Sequence, residues 1–164
     1  MGAMEPIEVL GVEHIDVTVN DLARSAIFYD QVMPALGFRR LLDDDDDRHD
    51  IRWGNAHLTF AIRQAAASER GAAFNRYRVG LHHLAFKARS RDAIDVFHHF
   101  LMRENLPILD APAEYPQYGP NYYAVFFADP DGMKLELVHF PWGYWRNVQR
   151  DGADDRPRYA AKKS

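Results

Sequence analysis

Two histidines and one glutamate lie on three segments that have the alternating pattern of β-strands. In each segment apolar side chains alternate with other residues, so that His14, His83 and Glu136 each lie on the face opposite the apolar one. If these faces surround one cavity, two imidazoles and a carboxylate meet there. Such a donor set suits a divalent transition metal and leaves positions open for substrate or water. The spacing therefore favours a metal site, although each histidine taken alone is more often a structural residue.

The strands belong to a pattern that occurs twice: a strand, a helix and three further strands. A shift of 69 residues places His14 on His83, and near the end of each copy a shift of 77 places Thr59 on Glu136. The repeat predicts an α+β fold with two βαβββ modules in tandem.

The pattern divides the 164 residues into four segments that together make one compact domain. Each predicted helix follows a residue whose short side chain can cap it, Asp21 in the first module and Ser90 in the second. The first helix is expected to end near Met33, just before Pro34. The four segments are the first module (12–63), a linker (64–79), the second module (80–140) and a C-terminal tail (141–164).

Composition narrows the classes of function. The net charge of −4 argues against general nucleic-acid binding, which requires a basic face. No apolar run approaches the roughly 20 residues that span a membrane, and the first ten residues lack the pattern of a secretory signal. The absence of cysteine excludes disulfides and thiolate metal ligands. We expect a cytoplasmic protein with no nucleic-acid or membrane partner.

Three motifs resemble the vicinal oxygen chelate superfamily, which includes glyoxalase I, bleomycin-resistance proteins and extradiol dioxygenases. The resemblance implies that the two modules form a curved mixed sheet around a cavity that binds a small-molecule substrate. It also implies a divalent metal (Fe, Mn, Ni, Co or Zn) held there by His14, His83 and Glu136. Such a metal chelates adjacent substrate oxygens and stabilises an enolate or oxyanion. His82 is not chosen as a ligand because we expect it to face the helices. The motifs, within a resemblance covering about residues 12–140, are HIDVTVND (14–21), GLHHLAF (80–86) and DPDGMKLEL (129–137).

Other residues on the expected cavity faces are candidates for acid–base catalysis. Beside Glu136 itself we single out His57 on the fourth strand and Tyr123 on the seventh, and Asp16 and Lys87 share these faces. Four tyrosines near a Pro-Gly loop either shape the mouth of the cavity or pack over a strand end; these are Tyr115, Tyr118, Tyr122 and Tyr123.

The first module departs from the glyoxalase I pattern on its fourth strand. Thr59 stands where that pattern has a carboxylate or an amide, and a hydroxyl is a poor ligand for a divalent transition metal. We therefore expect three protein ligands instead of four, and weak or absent lactoylglutathione lyase activity. On this alignment, Thr59→Glu is expected to tighten metal binding.

Two function classes other than a lyase, isomerase or dioxygenase stay open. One is a ligand-sequestering protein of the bleomycin-resistance type, against which the intact ligand set argues. The other is a metal-free domain that acts as a partner or regulator. We expect a homodimer whose metal ligands come from one chain or from two. The run Asp43–Asp47 is interpreted as a solvated hairpin tip, and the aromatic surface available for dimerisation is Phe140, Trp142, Tyr144 and Trp145.

Overall fold

A computed structural model describes residues 9–42 and 50–141, and these contain two helices and eight strands in the predicted order. The run Asp43–Asp47 lies outside the described residues, as do three of the four residues expected at a dimer surface, Trp142, Tyr144 and Trp145. The first module comprises β1 (His14–Val19), α1 (Leu22–Ala35), β2 (Arg39–Leu41), β3 (Asp50–Gly54) and β4 (Thr59–Gln64). The second comprises β5 (Leu84–Lys87), α2 (Arg91–Arg103), β6 (Ile108–Glu114), β7 (Tyr123–Ala128) and β8 (Lys134–His139).

Each module forms a four-stranded mixed sheet. The strand orders are β1-β4-β3-β2 and β5-β8-β7-β6. The first and last strands of each module pair in parallel, and the other pairs are antiparallel. The predicted α+β fold of two βαβββ modules is confirmed. Within the described ranges the strands form two sheets, neither of them closed. α1 packs against the first sheet and α2 against the second, and we refer to the face of each sheet away from its helix as its open face.

Local signals in the sequence set the ends of the helices. Asp21 and Ser90 each accept a hydrogen bond from the third following backbone N–H, at 3.0 and 3.2 Å, so both predicted caps are confirmed. α1 continues past Pro34 to Ala35, because the chain after the proline still donates back into the helix, from the N–H of Leu36 to the carbonyl of Val32 at 3.0 Å. Gly37 then reverses the chain with φ of +86°. Neither helix has the length and apolar character needed to cross a bilayer.

The helix-facing sides of both sheets share one apolar core. Tyr29 and Trp53 of the first module are completely or almost completely buried in it, as is Phe127 of the second. Successive side chains of a strand point to opposite faces, so the alternating apolar positions supply this core. The opposite faces of both sheets consequently point away from it.

The turn between β7 and β8 ties the second module to the first. The buried carboxylate of Asp129 accepts a hydrogen bond from the hydroxyl of Tyr29 in α1, at 3.0 Å. Its other oxygen accepts hydrogen bonds from the backbone N–H groups of Asp131 and Met133, at 2.9 and 2.8 Å. Asp131 in turn accepts one from the backbone N–H of Asn20, at 2.7 Å, and pairs with an arginine of α1. Two carboxylates of one turn therefore hold the modules together.

We expect Tyr29→Phe to lower the free energy of unfolding by about 1–2 kcal/mol, because the buried Asp129 carboxylate loses a donor that water cannot replace. Tyr123→Phe is the matched control, since its hydroxyl donates to the partly buried Asp95, at 2.7 Å, where water can take its place. Urea denaturation followed by circular dichroism measures both losses. Equal losses would contradict the special role of Asp129.

Candidate functional site

Glu136 lies in the middle of β8 with only 1% of its surface exposed. Its neighbours Leu135 and Leu137 point into the shared core, so its carboxylate lies on the opposite face of the sheet. Burial favours the neutral acid and raises the pKa of Glu136 above its usual value. A hydrogen bond from Tyr122 and the positive charge of Lys134 offset part of this rise in the pKa.

Two side chains contact the two oxygens of this carboxylate. The hydroxyl of Tyr122 donates a hydrogen bond to Oε1 of Glu136, at 2.5 Å. Nε2 of His83 lies 3.2 Å from Oε2. His83 directly precedes β5, and Ala85 lies opposite Glu136 in the parallel ladder, so both side chains share one face. The structure thus brings two predicted ligands together, and we refer to His83 and Glu136 as the candidate metal centre.

His82 contacts the other ring nitrogen of His83. The two Nδ1 atoms are 2.7 Å apart, and His82 is exposed, so the expectation that it faces the helices is wrong. The strand alternation does not extend back to this residue, because β5 begins only at Leu84. If Nδ1 of His83 donates in this contact, its Nε2 keeps the lone pair that a metal requires.

The pKa of His83 is lowered from its usual value. Burial is the main cause, and the positive charges of Lys134 and Arg76 add to it. Both effects favour the neutral imidazole. A neutral imidazole is the form in which a histidine can bind a metal ion.

His14, the third predicted ligand, is not part of this group. It begins β1 with a side chain that is 62% exposed, and its Nδ1 contacts the carboxylate of Glu13. Within one chain, no three metal-binding side chains of residues 9–42 and 50–141 meet in an arrangement that could hold an ion. One chain therefore assembles two of the three predicted ligands.

The strand ladders identify the counterpart of Glu136 in the first module. In the second module Ala85 lies opposite Glu136. The shift of 69 residues aligns Asp16 with Ala85, and Asp16 lies opposite Ala61 in the first module. The counterpart is therefore Ala61, and the shift between the last strands is 75 instead of the expected 77. The alignment that placed Thr59 there is wrong, because a slip of two residues preserves strand alternation and so leaves no trace in the pattern. Alanine has no side-chain atom that binds a metal ion, so the first module supplies no ligand at the position that corresponds to Glu136.

Ion pairs cover the open face of the first sheet. The guanidinium of Arg63 bridges the carboxylates of Asp16 and Asp50, at 2.8 and 3.2 Å. Arg52 also pairs with Asp50, at 2.8 Å. Asp16, an expected acid–base candidate, is thus held in an ion pair with Arg63 on this face.

Tyr123 lies on the wrong face for the role predicted from the sequence. Its hydroxyl donates to Asp95 of α2, and the guanidinium of Arg91 lies 5.2 Å from its ring centroid. The residue that reaches Glu136 is Tyr122, one position earlier. A step of one residue along a strand reverses the face, so the expectation for Tyr123 is wrong and Tyr122 takes its place at the carboxylate.

His57 and Lys87 line a different cleft. His57 is exposed in the turn before β4, where its backbone N–H donates to Asn55, so its expected place within the strand is wrong. The cleft measures about 610 Å³ and lies between the modules, and Glu136 does not line it. The structure does not bring these two candidates to the candidate metal centre.

Aromatic rings surround the buried carboxylate of the second sheet. The ring of Tyr122 packs against those of Tyr118 and Phe140, with centroids 5.3 and 5.4 Å apart. Tyr115 packs against Phe126 at 5.1 Å. Three of the four tyrosines noted in the sequence therefore form an apolar wall beside the site. Tyr122 and Phe126 are an even number of residues apart, so they share one face of the strand, and this spacing is the sequence signal that identifies the face.

The family model of the Glyoxalase/Bleomycin resistance protein/Dioxygenase superfamily matches residues 11–137. The chain belongs to this superfamily. The match spans both modules, and the positions of His14, His83 and Glu136 lie within its range. The resemblance found in the sequence motifs is thereby confirmed.

Individual relatives agree with this membership. The uncharacterized protein YqjT of Bacillus subtilis (strain 168) is 32% identical over 127 residues, which cover 77% of this chain and 97% of YqjT. The crystal structure of a protein assigned as a glyoxalase, from Bacillus halodurans, has a TM-score of 0.65 and 29% identity, and the match covers 79% of this chain and 95% of that one. A glyoxylase/bleomycin resistance protein/dioxygenase domain from Frankia sp. EAN1pec also has a TM-score of 0.65, with 24% identity and coverage of 82% and 100%, and its likeness shows the fold alone.

We expect Tyr122→Phe to raise the pKa of Glu136 further, because the lost hydrogen bond stabilises the charged carboxylate. The carboxyl group then needs a higher pH to ionise. NMR titration of the glutamate side-chain carbons in metal-free protein measures this pKa. Tyr118→Phe is the control in the same cluster, since it leaves that hydrogen bond intact. An unchanged pKa in Tyr122→Phe would contradict the role of Tyr122.

Ala61→Glu is expected to add a carboxylate beside His14, just as Glu136 lies beside His83. We expect a divalent ion held by His14 to bind about tenfold tighter or more in this variant, because a charged ligand is added. Competition with a fluorescent chelator measures the affinity. Thr59→Glu, directly opposite His14 in the ladder, is the control and should give a smaller gain. A larger gain in metal affinity for Thr59→Glu than for Ala61→Glu would show that Thr59 is the counterpart of Glu136, which the strand ladders contradict.

Proposed function

We propose that this protein is a metal-dependent enzyme that acts on a small molecule with two adjacent oxygen atoms. The observation that carries this proposal is the Glu136 carboxylate, 1% exposed and 3.2 Å from Nε2 of His83. A buried carboxylate is unfavourable unless its charge is compensated. Its direct contacts are a tyrosine hydroxyl and an imidazole whose pKa is lowered, so a cation bound between His83 and Glu136 would supply the missing compensation.

The donor set fits a first-row divalent ion. One imidazole nitrogen and one carboxylate oxygen converge in the second module, and a second imidazole completes the two-histidine, one-carboxylate set. His14 of a second copy of the chain is the natural third ligand, because its side chain is exposed on the open face of the first module. Fe, Mn, Ni, Co and Zn all accept these donors.

The metal, when bound, supplies a Lewis acid for two adjacent substrate oxygens. The residues of the chain orient the reacting groups. Tyr122 holds Oε1 of Glu136 through its hydrogen bond and so fixes the plane of the carboxylate. Glu136 has the buried carboxylate of the candidate metal centre, so it is the group placed to take up a proton from the carbon beside the substrate oxygens. The rings of Tyr115 and Phe140 exclude water from this side of the site.

The proposed working unit is a homodimer in which each site takes ligands from two chains. A single chain holds His83 and Glu136 together but leaves His14 apart. The open faces of the two sheets provide the surfaces that two copies can bring together. A closed isologous pair would then contain two equivalent sites.

Elemental analysis of protein purified without chelator is expected to find about one divalent ion per chain. His83→Ala and Glu136→Gln should lose the ion, because each removes one of the converging donors. His99→Ala is the matched control, since His99 is exposed on α2. Metal-free wild-type protein, or equal loss in His99→Ala, would overturn the proposal.

Mixing the His14→Ala and His83→Ala chains tests whether two chains share each site. Random dimerisation makes half of the dimers mixed, and each mixed dimer keeps one intact site, so the mixture should recover about one quarter of the wild-type metal content. Light scattering should give a mass about twice the 18.9 kDa of one chain. Absence of recovery, or a monomeric mass, would show that the ligands do not come from two chains.

A further inference from the structure

A second cavity lies beside the candidate metal centre. It measures about 550 Å³, and the linker segment 72–78 and the start of β8 form most of its wall. Phe74 and Leu109 supply apolar surface. No carboxylate is among the lining residues that the described part of the chain provides. The cationic side chains that line the cavity are Arg76, Arg78 and Lys134.

Lys134 connects this cavity to the candidate metal centre. It precedes Glu136 by two residues on β8 and therefore shares its face of the sheet. Its Nζ lies 3.6 Å from the ring centroid of Phe126, the residue paired with Glu136 in the β7–β8 ladder. The charges of Lys134 and Arg76 both act on His83. The cations of the cavity thus lie within electrostatic reach of the centre.

Among the residues that the structure describes, no carboxylate is in direct contact with the positive charges of the cavity. The guanidinium of Arg76 lies 5.0 Å from the ring centroid of Tyr77 and donates to its hydroxyl, at 2.8 Å. Arg76 and Lys134 repel each other electrostatically, and Asp110 and Glu136 offset this only from a distance. In the described ranges neither cation forms a salt bridge. A bound anion would remove this repulsion.

We propose that this cavity is an oxyanion subsite for a carboxylate or phosphate group of the substrate. The inference rests on the proposed function, because the bound molecule is the one whose adjacent oxygens reach the candidate metal centre. Arginine and lysine are the preferred donors to both kinds of oxyanion. Phe74 and Leu109 contact the carbon skeleton of the ligand. The substrate class is therefore a small anionic molecule, since a neutral one would leave the cations uncompensated.

Calorimetric titration of the metal-free protein, at constant ionic strength, tests this subsite with benzoate, inorganic phosphate and neutral benzamide. Without metal, binding reports the cations alone, so failure here and failure of the metal proposal are distinguishable. We expect at least one anion to bind, and benzamide to bind about tenfold more weakly or not at all. Tighter binding of phosphate assigns a phosphate-bearing substrate, and tighter binding of benzoate assigns a carboxylate.

Substitutions of the cationic residues test whether the anion binds in this cavity. Lys134→Met and Arg76→Gln are each expected to weaken anion binding about fivefold or more, whereas Lys134→Arg keeps the charge and should retain binding. Arg39→Gln, on exposed β2 of the other sheet, removes the same charge and should change the affinity less than about twofold. Circular dichroism verifies the fold of each variant. Equal binding of benzoate and benzamide, no saturable anion binding, or an equal loss in Arg39→Gln would overturn the proposal.

Discussion

The buried carboxylate of Asp129 is the constraint on which the arrangement of the two modules depends. It is 3% exposed and receives one hydrogen bond from Tyr29 of the first module and two from its own turn. Burial raises the pKa of Asp129, and these donors offset part of that effect. Each donor lost would leave part of this buried carboxylate unsatisfied and would destabilise the packing of the modules. The apolar faces of both modules are therefore held against one another in a fixed relation.

This packing has a direct consequence for the candidate site. Once the helix-facing sides of both sheets share one core, their other faces must point outwards. His14 then lies on the open face of one sheet, and His83 with Glu136 on the open face of the other. The same contacts that stabilise the chain thus divide the expected ligands, which is the physical basis for the proposal that two copies form each site.

The two open faces have different chemistry despite the internal repeat. Ion pairs centred on Arg63 cover the first face, and the counterpart of Glu136 there is Ala61. Aromatic rings, a buried acid and adjacent cations cover the second. The repeat therefore preserves the backbone framework, while the site chemistry is concentrated in one module. A substrate held between two such faces would meet ionic groups on one side and an aromatic wall on the other.

Strand alternation and helix capping depend on residues close together in the chain, so the sequence alone was sufficient to predict the elements, the repeat and the fold class. Contacts between segments that are far apart in the chain determine the strand register and the positions of the site residues. Strand register makes Tyr122, and not Tyr123, the residue on the carboxylate's face. The ladder selects Ala61 over Thr59, because a slip of two residues leaves the alternation unchanged. The separation of His14 from the other ligands follows from how the modules pack, which no local pattern encodes.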